Sequence, residues 1–132
     1  MFIKIVLFMI LFHIIDDFVL QPISLSNLKQ KKWWEKQEGY SDKYKDDYKV
    51  ALAIHSISWS IMIHIPLVIM FPSLGQLALL ISFIVNAVIH YFIDDLKANK
   101  LKINLFEDQM VHFCQICTTL SVIMITIWQL VI

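Results

Sequence analysis

Apolar residues in this chain come in long, nearly unbroken runs and not in the strict alternation of a half-buried strand. Four runs stand out: Phe2 to Leu20, Val50 to Phe71, Leu74 to Ile93 and Leu105 to Ile132. Each approaches or exceeds the roughly 20 residues a helix needs to cross the hydrocarbon layer of a bilayer. The pattern predicts an all-α chain of a single integral membrane domain, a four-helix transmembrane bundle. Pro22 closes the first run, because proline lacks the amide hydrogen that a continuing helix needs. That run resembles a secretion signal only in length. It has no small-residue cleavage site, and it carries His13, Asp16 and Asp17, so it is read as a retained span.

The polar remainder is equally patterned. Residues 22–49 form a charged stretch with seven lysines and five acidic residues between Ser24 and Lys49. Trp33, Trp34, Tyr40, Tyr44 and Tyr48 are interleaved with the charges. Aromatics at the headgroup level with lysines turned outward describe an interfacial helix or helical hairpin; the other reading is a partly disordered loop. The link Phe71 to Gly75 is short and uncharged, which makes the flanking spans antiparallel neighbours. The next link holds Lys97, Lys100 and Lys102. Lysines thus gather in the first and third links, which share a side in a four-span protein. The positive-inside rule places both links in the cytoplasm, with the termini outward, in a cytoplasmic (inner) membrane.

Composition narrows the function. Of the 132 residues, 58% are hydrophobic and only two are Gly, which suits long helices. The formal net charge is zero, so bulk electrostatics point to no nucleic-acid partner. Cys114 and Cys117 lie in an apolar run and suggest no disulfide framework. They fall off the polar stripe of their helix and read as small residues packing between helices.

The candidate chemistry lies in the histidines. All five sit in or beside the apolar runs, and three have a carboxylate four positions away: His13 with Asp17, His90 with Asp94, and His112 with Asp108. Residues four apart share a helix face. An ionisable group in hydrocarbon costs at least several kcal/mol, so it marks a functional site by default. At a rise of about 1.5 Å per residue, His13, Asp17, His55, His90, Asp94, Asp108 and His112 fall in one slab roughly 10 Å thick near the cytoplasmic boundary. His64 is nine residues beyond His55, half a turn out of phase, and reads as a helix-packing contact.

Four imidazoles and three carboxylates suit zinc or another divalent transition metal, one or two ions, and are too nitrogen-rich for calcium. The seven are therefore the expected metal ligands. Asp17, Asp94 and Lys97 are the expected catalytic groups, and Asp16, Gln21, Asn86 and Gln115 are expected to support them. The function that follows is a metal-dependent membrane hydrolase with a membrane lipid or lipid-linked substrate at the cytoplasmic leaflet. Two alternatives stay open: a non-catalytic phage or host-interaction protein (holin-like or for superinfection exclusion), and a small ion or proton carrier. A homo-oligomer is compatible with all three.

The ordered pattern His13-x3-Asp17-Phe18-x-Leu20-Gln21, a lysine-bearing segment, His55, His90-x3-Asp94-x2-Lys97 and Asp108-Gln109-x2-His112 resembles a domain-of-unknown-function family. Its members are small multi-spanning bacterial and phage membrane proteins. The resemblance covers nearly the whole chain. It implies a compact four-helix membrane protein and carries no activity to transfer. There is a looser similarity to small membrane-bound metal-dependent hydrolases, which also set His and Asp on short spans.

Overall fold

The computed structural model describes residues 2–72 and 75–131; the expected span limits Leu74 and Ile132 lie outside them. The described residues are helical, with no strand among them. The elements are α1 (Phe2–Ile14), a π-helical turn (Ile15–Leu20), α2 (Ile23–Leu28), α3 (Lys31–Trp34), a 3₁₀ turn (Asp42–Tyr44), α4 (Asp47–Met70), α5 (Gln76–Ala98) and α6 (Leu105–Val131). Three helices, ending in α4, α5 and α6, are long and apolar enough to cross a membrane. Helix α1 is shorter, and its π turn carries the run to Leu20.

Helices α4 and α5 pack side by side, α1 packs on α4 and α6, and α6 also meets α5. The interior has two halves. Ile5, Met9, Trp59, Ile63, Leu67, Ile116, Leu120 and Ile123 form an apolar core. Beyond Trp59 the interior is mostly polar, with Ala51 and Leu52 as its buried apolar residues. On α5 every buried residue is polar, namely Asn86, His90 and Asp94, at i, i+4 and i+8. The outward positions Leu80, Ile84, Val88 and Phe92 are exposed. Polar residues inward and apolar residues outward is the arrangement hydrocarbon surroundings demand.

Local sequence fixes both ends of the α5–α6 link. Lys100 N–H donates to the Asp95 carbonyl at 3.1 Å and Lys102 N–H to that of Leu96 at 2.9 Å, satisfying terminal carbonyls of α5. Lys100 Nζ also pairs with Asp95 at 2.8 Å, and this hydrogen bond raises the Lys100 ammonium above its ordinary pKa. At the start of α6, Asn104 Oδ1 accepts from Glu107 N–H at 3.0 Å and Glu107 Oε2 accepts from Asn104 N–H at 2.8 Å. This reciprocal capping box sets the phase of the first turn, and Asp108 follows directly. Leu101, in the link, has φ +53° and is exposed. That region costs an L-residue on the order of 1–2 kcal/mol. Leu101→Gly is expected to raise stability by about 0.5–1 kcal/mol, read as a higher unfolding midpoint in detergent.

The charged stretch after Pro22 is a series of short turns, neither one long helix nor a regular hairpin. It is anchored at its start. Trp34 Nε1 donates to the Leu28 carbonyl at 2.9 Å. Asn99, just past α5, donates to the Lys29 carbonyl at 3.1 Å and accepts from Lys31 N–H at 2.7 Å. One expectation is corrected here. The lysines do not all face outward: Lys29 is 5% exposed and points into the helices.

Candidate metal centre

The centre is built where α1, α4, α5 and α6 converge beyond Trp59. It begins with a departure from α-helical geometry. Gln21 N–H donates to the Asp16 carbonyl, five residues back, at 2.9 Å. The wider turn has more residues per revolution and a smaller angle between neighbours, so Asp16 and Asp17 both point inward. Asp16 is 1% exposed, and the Asp17 side chain is 10% exposed.

The structure gathers Asp17, His55, His90, Asp94 and His112 into two ligand triads, with Asp108 and His13 against His112. His90 stacks on His112 with ring centres 4.2 Å apart, on Trp59 at 4.3 Å, and lies 5.0 Å from His55. His13 is 5.6 Å from His112. The carboxylates thread between the rings. His55 Nε2 is 3.4 Å from Asp17 Oδ1 and 3.5 Å from Asp94 Oδ2. His112 Nε2 is 3.4 Å from Asp108 Oδ1 and 3.7 Å from Asp94 Oδ1. His90 Nε2 is 3.8 Å from Asp94 Oδ1.

These separations are longer than the usual N–H···O hydrogen bond of about 2.7–3.2 Å. They match a different geometry. Two ligands on one tetrahedral ion, each about 2.1 Å from it, lie about 3.4 Å apart. The buried atoms without a protein hydrogen-bond partner are concentrated at the same place: Asp16 Oδ2, Asp17 Oδ1, both nitrogens of His90, Asp108 Oδ1 and His112 Nε2. Buried polar atoms nearly always find partners, so such a cluster needs a common explanation. Two triads, Asp17/His55/His90 and His90/Asp94/His112, each bring three ligand atoms within 4.8 Å of one another. These buried groups can hold a metal ion.

The surrounding side chains aim the carboxylates. Lys29 Nζ donates to Asp94 Oδ2 at 2.6 Å and to Gln21 Oε1 at 3.1 Å. Lys97 Nζ donates to Asp108 Oδ2. Gln109 Nε2 donates to the same oxygen at 3.1 Å. Ser58 Oγ donates to Asp16 Oδ1 at 2.6 Å, which leaves Asp16 Oδ2 facing His55 Nδ1 at 3.6 Å. Gln115 Oε1 lies 3.2 Å from His112 Nδ1, and Gln115 Nε2 donates to Asn86 Oδ1 at 3.3 Å. Gln21, Asn86, Gln115 and Asp16 therefore sit behind the ligand groups.

Two placements, those of His13 and Cys114, differ from expectation. His13 stands beside the centre and belongs to neither triad: its Nδ1 accepts from Trp59 Nε1 at 2.7 Å, and its Nε2 pairs with Gln109 Oε1 at 3.0 Å. Both ring nitrogens are engaged by the protein. Lys97 is tied to Asp108 at the rim, its side chain 31% exposed. His64 lies apart, bonded to the Ser60 carbonyl at 2.7 Å and to Ser82 Oγ at 3.0 Å. Cys114 is exposed and not packed between helices, and Cys117 is half-buried; both are free thiols.

Lys29, Trp59 and Ser58 were missed from sequence. A tryptophan is expected among apolar residues, and one lysine among seven carries no local mark. The chain matches no family model, no curated protein and no solved structure.

Proposed function

We propose that this is a four-span membrane protein that binds a divalent transition metal in its His/Asp centre and hydrolyses a lipid or lipid-linked ester. The observation that carries the reading is the group of unpartnered ring nitrogens and carboxylate oxygens at ligand-to-ligand spacing. Asp17, His55, His90, Asp94 and His112 would hold such an ion, and the chemistry it would supply is a water of near-neutral pKa in dry surroundings. Asp17 and Asp94 serve as ligands and local bases, and Lys97, at the rim, is the cation placed to meet an incoming anionic group. A slot of about 430 Å³ between α5 and α6 opens beside Gln115, which touches His112. Its walls include Val85, Ile89, Val111 and Val122, and it has the character of a bed for an alkyl chain.

The lysine-rich links support a cytoplasmic-leaflet position for the centre. The ordered His/Asp pattern is our basis for grouping the chain with the small bacterial and phage membrane proteins it resembles. The test is elemental analysis of detergent-purified protein, followed by product release from a mixed lipid extract with and without a chelator. Stoichiometric zinc, manganese or iron with chelator-sensitive hydrolysis is expected. A metal-free preparation that cannot be loaded overturns the reading.

A further inference from the structure

The ligand atoms around the centre do not share one point. They divide into two sets, and two residues, Asp94 and His90, reach both. Asp17 Oδ1 and Asp94 Oδ2 flank His55 Nε2 at 3.4 and 3.5 Å. Asp108 Oδ1 and Asp94 Oδ1 flank His112 Nε2 at 3.4 and 3.7 Å, with His90 Nε2 at 3.8 Å from the same Asp94 oxygen. The two oxygens of the Asp94 carboxylate thus face different imidazoles. The mutually close donors in the two sets are the triads Asp17/His55/His90 and His90/Asp94/His112, each offering three donors of the kind a zinc-type ion takes.

Asp94 is held in this pose by Lys29. Asp94 is 2% exposed, and Lys29 donates to Oδ2 at 2.6 Å. A carboxylate oxygen has two lone-pair directions, so the ammonium takes one and leaves the other for a ligand bond. His90 lies within reach of either set, as both triads include it. Its two nitrogens have no protein partner. On this geometry we propose that the centre is binuclear, with Asp94 bridging two divalent ions, and that its substrate is a singly charged phosphodiester.

The substrate follows from charge. Asp16, Asp17, Asp94 and Asp108 contribute four negative charges, and Lys29 and Lys97 two positive ones. With neutral imidazoles the residue is two negative. Two divalent ions reverse this to two positive. A buried site does not carry such an excess, because moving charge out of water is costly. One hydroxide removes one positive charge, and a singly negative phosphodiester removes the other. A neutral carboxylic ester leaves the site charged.

Two ions about 3.5–4 Å apart are the arrangement that holds both the entering and the leaving oxygen of a phosphoryl displacement. In the step, a water oxygen bonds to phosphorus and the phosphorus–oxygen bond to the leaving alkoxide breaks. The electron pair leaves with the alkoxide, which takes the proton released by the water. The products are a phosphomonoester and an alcohol.

This inference rests on the metal-hydrolase reading, and the two fail differently. Full-length protein in detergent is stripped, loaded with Mn²⁺, desalted and assayed for metal. Two ions per chain, with an exchange-coupled manganese resonance, are expected. Asp17→Asn and Asp108→Asn should each retain one ion and lose the coupling. One ion per wild-type chain overturns the binuclear centre and leaves the metal reading standing; none overturns both. Bis(4-nitrophenyl) phosphate and 4-nitrophenyl butyrate, at equal concentration, test the substrate class. Cleavage of the phosphodiester at least tenfold faster is expected. Cleavage of the carboxylic ester alone, or of neither, overturns the phosphodiester assignment.

Discussion

His90→Phe is expected to make the metal-free protein more stable and the metal-binding protein worse. The His90 ring lies stacked between Trp59 and His112, and a phenyl ring fills much the same space. Both imidazole nitrogens are buried without protein partners, and an unsatisfied buried polar group costs about 1–3 kcal/mol. Removing them should add on the order of 1–2 kcal/mol to the apo protein, seen as a raised unfolding midpoint in chelator. The same change deletes a ligand residue common to both triads. Metal affinity should fall at least about 100-fold, since even residues that only support ligands contribute 10–100-fold. Isothermal titration with Zn²⁺ reads it. A variant that gains nothing in stability and binds metal as before would show that His90 is ordinary packing.

Lys29→Met is the second large effect. Lys29 Nζ and Asp94 Oδ2 form a buried ion pair at 2.6 Å, with side chains 6% and 3% exposed. Deleting one partner of a buried pair strands the other charge, at about 3–5 kcal/mol. Methionine keeps the unbranched stem, so the loss reports the charge and not the packing. Unfolding in detergent with chelator should show it in full. Adding a divalent ion should restore a large part, because the ion supplies positive charge to the same carboxylate. An equal loss with and without metal would place Lys29 and any ion in unconnected environments.

Much of the inward-facing surface was legible from spacing. On α5, Asn86, His90 and Asp94 recur at intervals of four among apolar neighbours, and these are the residues that helix buries. On α6, Asp108, His112, Gln115 and Thr119 recur at intervals of four, three and four and are all buried. Periodicity works here because a polar group on a greasy helix has only one favourable direction. Where the direction depends on distant partners, spacing is silent. His13 has the same spacing to Asp17 as His90 has to Asp94, yet Trp59 and Gln109 engage its nitrogens. Lys29 turns inward because Asn99, 70 residues further on, holds its backbone. No local pattern contains either fact.

The wide turn at Ile15–Leu20 gives the chain a place where residue number matters more than residue kind. Six residues there do not follow the α repeat. Deleting one would let the stretch relax to an α-helix. The segment beyond it would then be rotated by about 100°, carrying Gln21, Pro22 and the strap that bears Lys29 away from Asp94. An insertion would carry them the other way. Elsewhere on the exposed apolar surface one apolar residue can replace another at little cost, but in these six positions the fold requires the register itself.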